Sequence, residues 1–207
     1  MFTLLKPEMR RCVGSLDSYL IEAGFNIDSR HPISNWEETA KSLYVRQLSN
    51  PTFESEFSVY LWLTKSFFGD NAVAYQLSRE GDLGDSLEVL MKVKNRFRSD
   101  ISTKLDSPVN MIIDLDKVPT SQPIKTGKQG IIQIGSIPLQ EGSFSGRWDY
   151  FFFKYIHTSD GVDAHEKENN ILKTKGVYDS TITERQWKQM IATETLTPLN
   201  FEAYKNE

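Results

Sequence analysis

The sequence predicts a single domain in which strands and helices share one core, and three stretches predict it. The first is the run from Arg147 to Glu168. Trp148 to Ile156 is aromatic and nearly free of polar side chains, the composition of a buried strand. Thr158, Ser159 and Asp160 are then N-cap residues, and Asp163, Glu166 and Glu168 put negative charge into the early turns of a following helix. His157 therefore stands where a strand gives way to a helix. The second stretch is the apolar opening Met1 to Leu5, followed by Val13, Leu16, Tyr19, Leu20 and Ala23 at three- and four-residue steps, one apolar helical face. The third is Ala72 to Leu77, a strand entered from the turn Gly69-Asp70-Asn71, with a helical pattern of Leu87, Leu90, Met91 and Val93 after it.

In chain order, Pro7 stops the first strand because it has no N–H for a ladder, which leaves Lys6 at the strand end with its ammonium directed at the adjoining cleft. The helix Glu8 to Ala23 ends at Gly24, a natural C′ residue. Phe25 to Ile33 reads as the second strand; His31, beside Pro32 and with no ligand set near it, reads as structural or exposed. Asn35 offers a cap for a helix from Trp36 to about Arg46, with Glu37 and Glu38 in its first turn. Ser49-Asn50-Pro51 breaks that helix and starts another, Thr52 to Phe68. After Gly81-Asp82-Leu83-Gly84, residues Asp85 to Phe97 form a helix capped by Asp85 or Ser86 and closing on Lys92, Lys94, Arg96 and Arg98.

Residues 99–145 read as an insertion. Two strand-like runs, Asn110 to Leu115 and Gly130 to Ile134, flank a polar Pro/Ser/Thr/Lys-rich turn and suggest a β-hairpin. So long a connection suits a lid or a partner surface. The helix after His157 should stop near Gly176, and residues 177–207 read as a polar extension with one more helix from a Thr183 cap, packed within the protomer or across an oligomer.

A chain of 207 residues suits one domain. With 39% hydrophobic and 25% charged residues it has globular composition, which excludes a disordered chain. No run of about 18 apolar residues is present to span a bilayer, and the N-terminus lacks the regions of a signal peptide. The lone cysteine, Cys12, leaves no internal disulfide and no cysteine-based zinc site, so the expected home is the reducing cytoplasm. A formal net charge of -4 argues against general nucleic-acid binding, so a phosphate site would have to be a focused basic pocket.

A histidine can act as nucleophile through one ring nitrogen while an acceptor holds the other. Glu168, eleven residues beyond His157, is a candidate for that acceptor. The plainer reading of the same residues is a histidine at a strand end beside a charged, solvated helix. His165, with Asp160 or Glu168, ranks as a solvated histidine ahead of a metal ligand, and no protein metal site is expected.

His157-Thr-Ser-Asp, followed by Glu166-Lys-Glu168 and preceded by an Arg-x-Asp-aromatic strand, resembles the active-site segment of nucleoside diphosphate kinases, where the pattern is His-Gly-Ser-Asp and then Ala-Glu-Lys-Glu. Thr3-Leu-Leu-Lys-Pro-Glu, an Arg, Val13-Gly14 and the closing Gly24-Phe25 resemble the same family's opening strand and helix, and Tyr44, Pro51 and Phe53 resemble its nucleotide-gripping hairpin. The resemblance implies a ferredoxin-like α+β sandwich: an antiparallel sheet covered by helices, here with an inserted hairpin and a C-terminal extension. It implies ping-pong transfer of the γ-phosphoryl of a nucleoside triphosphate through a phosphohistidine at His157 to a second acceptor. Glu168 would hold the other imidazole nitrogen and Ser159 would add a hydrogen bond. Lys6, Tyr44, Phe53, Arg147 and Lys154 would bind the nucleotide, with Mg²⁺ arriving on its phosphates. An arginine from the helix ending at Arg98 is a looser phosphate candidate, and family members are commonly oligomers. At several positions the chain departs from the pattern: Thr158 replaces a glycine, Lys154 an asparagine, Thr52 the base-stacking phenylalanine, and Arg147 lies three residues nearer His157. Two functional readings stay open, an active phosphotransferase and a catalytically silent nucleotide-binding or interaction module on the same fold.

Overall fold

The computed structural model describes residues 1–7, 13–67, 69–104, 109–114, 129–134 and 156–193. The chain opens on β1 (Phe2–Leu5), whose four residues are all buried. Burial on both faces is what a central strand requires. It pairs antiparallel with β3 (Ala72–Ser78) on one side, from Phe2 opposite Gln76 to Leu5 opposite Val73. On its other side it pairs antiparallel with β6 (Ile156–His157), Leu4 opposite His157. Strand β2 (Asn26–Ile33) pairs antiparallel with β3, with a register shift between Ile27 and Ser29, so the sheet runs β2-β3-β1-β6. The molecule is therefore a mixed α+β fold around a four-stranded antiparallel sheet. Strands β4 (Val109–Asp114) and β5 (Gln129–Ile134) pair antiparallel as a separate two-stranded sheet, built from the two apolar runs of the insertion.

Both sheet faces are covered. Helix α1 (Val13–Glu22) buries Leu16 and Leu20 and gives way to Gly24, whose φ of 81° suits the end of a helix. On its side of the sheet the Tyr75 hydroxyl donates to Asp17 at 3.1 Å. On the opposite side Phe2 stacks on His165 of α5 (Val162–Thr174), and His31 meets Tyr178 edge to face. His31 is buried, within hydrogen-bond distance of Ser29, Gln76 and the Ser180 carbonyl, so the structural one of its two expected roles is the one it fills.

The remaining helices follow their local signals with three differences, one of which is that the helix expected over Asp85 to Phe97 runs on to Lys104, into the first residues of the stretch read as an insertion. Asn35 caps α2 (Trp36–Leu43) by accepting from the Glu38 N–H at 3.0 Å. That helix stops at Leu43 rather than near Arg46, because the Tyr44 carbonyl accepts from both Gln47 and Leu48 and the chain tightens into a 3₁₀ turn, Gln47–Ser49. Pro51 opens α3 (Pro51–Phe67), where its missing N–H costs nothing. Helix α4 (Leu83–Lys104) is capped by Asp82, which accepts from the Asp85 N–H at 2.8 Å, and not by Asp85 or Ser86. Ser86 is instead buried in the first turn.

After α5, Gly176 sits in the left-handed region at φ 67° and starts the 3₁₀ turn Val177–Asp179. Helix α6 (Glu184–Thr193) is set by a capping box: Thr183 Oγ1 accepts from the Gln186 N–H, and Gln186 Oε1 accepts from the Thr183 N–H at 2.8 Å. Its Trp187 is buried within this protomer, edge-on to Tyr75 and under the Arg30 guanidinium. Among the described residues no helix is long and apolar enough to cross a membrane.

Candidate functional site

His157 is the last residue of β6, and its backbone is held twice, by pairing with Leu4 and by a 2.9 Å hydrogen bond from the Thr3 hydroxyl to its carbonyl. The chain then turns sharply: Thr158 and Ser159 are buried, and Gly161 at φ 88° leads into α5. Two turns along, the helix brings Glu168 back over the strand end. There one carboxylate oxygen, Oε2, lies 2.9 Å from His157 Nε2 and 2.6 Å from Ser159 Oγ.

The donors on that oxygen follow from chemistry. An ionised carboxylate only accepts, so the Ser159 hydroxyl donates to it and so does His157 through Nε2–H. Nδ1 then carries the lone pair. Burial opposes ionisation of Glu168, but the hydrogen bonds from His157 and from the Ser159 hydroxyl outweigh it and hold the carboxyl below the ordinary glutamate value. The pair is partly shielded, with 9% of the His157 side chain and 18% of that of Glu168 exposed. At Nδ1 the Tyr44 hydroxyl lies 3.1 Å away and donates to the lone pair. The Tyr44 ring meets the imidazole edge-on and leans on Phe57 and Phe53, which stack on each other. Nδ1 of His157 thus faces an aromatic wall built by the turn after α2 and the first turns of α3.

His165 is not solvated. It is buried, its ring stacks on Phe2 with centroids 4.7 Å apart, and its Nδ1 is 3.3 Å from Ser159 Oγ. Burial, reinforced by the Met1 ammonium and opposed by Glu168, lowers its pKa to about 4, so at neutral pH it is uncharged. The signal for its burial lay in helical spacing: His165, Glu168 and the buried Leu172 fall three and four residues apart on one face of α5.

The expected nucleotide contacts are only partly brought together. Tyr44 and Phe53 stand beside His157, as above. Lys6 is 3% exposed, and its Nζ lies 4.7 Å over the ring of Tyr60, whose hydroxyl accepts from Trp36 Nε1. The ammonium is thus held against an aromatic ring rather than swinging in solvent. Arg96 of α4 reaches Glu22 at 3.1 Å and covers Tyr19, which ties it to α1 and away from His157. Arg147 and Lys154 lie outside the described residues, as do Cys12 and the side chains of Thr52 and Arg98. Among the described residues no three His, Cys, Asp or Glu side chains converge as a metal site. A cavity of about 590 Å³ lies elsewhere, between Leu5, Lys6, Ile33 and Val73 of the sheet end and Gln186 and Met190 of α6.

What the arrangement can do is hold one imidazole in a single tautomer with a counter-charge behind it and a lone pair in front. The chain matches no protein-family model and no curated protein.

Proposed function

We propose that this protein is a nucleotide phosphotransferase that carries a phosphoryl group on Nδ1 of His157. The observation that carries the reading is the 2.9 Å contact of Glu168 Oε2 with His157 Nε2, which favours the proton on that nitrogen and so supports Nδ1 as the nucleophile. The lone pair of Nδ1 attacks the γ-phosphorus of a nucleoside triphosphate, the bond to the bridging oxygen breaks, and its electrons leave with the nucleoside diphosphate. The imidazole gains positive charge as the N–P bond forms, and the carboxylate of Glu168 faces that charge through Nε2–H. A nucleoside diphosphate-like acceptor then attacks the phosphorus and restores the neutral ring. The Tyr44 hydroxyl must leave Nδ1 as phosphorus approaches, and the phosphate oxygens are its natural new partners. Mg²⁺ enters as part of the triphosphate substrate, held by its phosphates.

Two further features support the reading. The chain order, a β-α-β unit of β1, α1 and β2 followed by β3, α4 and β6, is in keeping with the ferredoxin-like fold that the resemblance to nucleoside diphosphate kinases implies. In the His-Thr-Ser-Asp and Glu-Lys-Glu segment His157 Nε2 and Ser159 Oγ share one oxygen of Glu168, which supports the roles taken from that resemblance.

The silent nucleotide-binding module is favoured by one observation, the burial of Lys6, which turns the cation at the end of β1 to the ring of Tyr60. One experiment separates the two. Purified protein is incubated with Mg²⁺ and a nucleoside triphosphate, and intact mass is read for an acid-labile, alkali-stable phosphoryl adduct. An adduct that disappears in His157→Ala is the expected result. Nucleotide binding by thermal shift with no adduct would replace this reading with the silent module.

A further inference from the structure

The buried His165 has no part in the transfer as described, yet it touches the group that orients Glu168. A hydroxyl donates one proton, and Ser159 Oγ has two neighbours that could take it: Glu168 Oε2 at 2.6 Å and His165 Nδ1 at 3.3 Å. The short bond to the carboxylate takes the proton. His165 must then donate through Nδ1–H, and the lone pair of Ser159 Oγ receives it. Four groups form one directed chain, His165 to Ser159 to Glu168, with His157 Nε2–H donating to the same carboxylate oxygen. Phe2, stacked at an interplanar angle of 23°, fixes the plane of the His165 ring and so the direction of its donor.

We propose that His165 is a positioning residue that acts through Ser159: by donating to the hydroxyl oxygen it holds the hydroxyl on Glu168 and so anchors that carboxylate against His157 Nε2, which keeps the proton on Nε2 and the lone pair on Nδ1. The proposal rests on the phosphotransfer reading for its purpose. Its physical basis is directional polarisation, since a hydroxyl that accepts a hydrogen bond is a better donor, and the site is buried enough for this to count. With the donor removed, the Ser159 hydroxyl is free to rotate off the carboxylate, Glu168 loses its anchor and swings away from Nε2, and the imidazole proton is then shared between its two nitrogens. The groups that bear charge toward His165 are the Met1 ammonium at the start of the chain and Glu168 on its own helix. Its ring stays neutral across the working range, so it acts as a fixed donor and not as a proton carrier.

The test reads the tautomer directly. The imidazole ¹⁵N shifts of His157 would be recorded without nucleotide in the wild type, His165→Phe, His165→Asn, Ser159→Ala and the double variant His165→Phe/Ser159→Ala. Phe keeps the stacking on Phe2 and has no donor, whereas the Asn amide restores a donor near the position of Nδ1. The expected result is a clear Nε2–H tautomer in the wild type, a mixture in His165→Phe, and recovery in His165→Asn. Adduct formation should slow by about tenfold in His165→Phe, the low end of the scale for an outer residue that orients an inner one. In the Ser159→Ala background the second substitution should add nothing. If His165→Phe does not fold, His165→Gln places its amide near Nε2 instead and stands in for it. An unchanged His157 tautomer, or an effect that persists undiminished without the Ser159 hydroxyl, would overturn the proposal. Because the spectrum needs no phosphoryl donor, a protein that forms no adduct would sink the function proposed above while the spectrum still decides the role of His165.

Discussion

The indole Nε1–H of Trp187 donates to the carboxylate of Asp17 at 2.8 Å, joining residues 170 positions apart. The same carboxylate receives the Arg30 guanidinium at 2.8 Å and the Tyr75 hydroxyl at 3.1 Å, so α1, β2, β3 and α6 meet on one acidic group. Burial, with the nearby Asp17 charge, pushes the Tyr75 phenol well above its ordinary value, which keeps it a donor throughout the physiological range. Trp187→Ala should cost about 3–5 kcal/mol in urea unfolding, since it removes a 1% exposed indole and takes from Asp17 one of its donors. Trp187→Phe should cost less, because the ring stays and one hydrogen bond goes. Equal losses for the two variants would show that the bond to Asp17 contributes little.

Lys6→Met separates phosphate binding from packing. Methionine keeps an apolar stem beside Tyr60 and removes the charge. If the ammonium meets phosphate in the complex, adduct formation at low nucleotide should fall at least about tenfold, the worth of one charge-assisted hydrogen bond. An unchanged nucleotide dependence with a lower unfolding midpoint would assign Lys6 to the aromatic cluster alone.

Acid should destabilise the protein in two steps whose order follows from sign. His165 has a folded pKa of about 4 against 6.5, so the unfolded chain binds the proton first, and stability falls as pH drops below 6.5 until about 4. Glu168, held below 4.5 in the folded state, adds its loss only as pH falls through its folded value. Between pH 7 and pH 5 the wild type should lose about 2 kcal/mol more than His165→Phe. Parallel losses in denaturant titrations would contradict the neutral, buried state of that ring.

Gly176→Ala should destabilise by about 1 kcal/mol, because a side chain at φ 67° is strained. The added Cβ would also fall 2.6 Å from Asp179 Oδ2, but an exposed carboxylate can swing away, so the backbone decides the cost. Gly176→Asn should cost less, since Asn tolerates this conformation better. Thermal midpoints of the two variants in the wrong order would remove the argument.

Much of the framework was legible because its signals are local. Asn35 as a cap, Pro51 as a helix opening, Gly24 and Gly176 as helix ends and Thr183 as the start of α6 each act within four residues. The pairing of Glu168 with His157 was legible for a similar reason, since two helical turns carry a side chain back over its own strand end. What was not legible depends on distant partners. His165 looked solvated until Phe2 was brought against it from the other end of the chain. Lys6 looked free until Tyr60 arrived from α3. The helix cap at Asp82 was missed by three residues for a local reason, because Asp82, Asp85 and Ser86 all have capping side chains and sequence alone does not rank them.

Strand β2 lies at the border of the sheet, and there the Ile182 N–H donates to the Arg30 carbonyl at 2.7 Å. An open border of this kind is a template for other chains, and natural proteins often cover theirs. Here the cover is the linker that leads into α6, pinned by the capping box on one side and by the contact of Ser180 with His31 on the other. Copies of this protein that join strand to strand at β2 must first peel the linker away. Residues 180–182 thus leave the border of β2 with fewer open backbone groups for another chain to pair with.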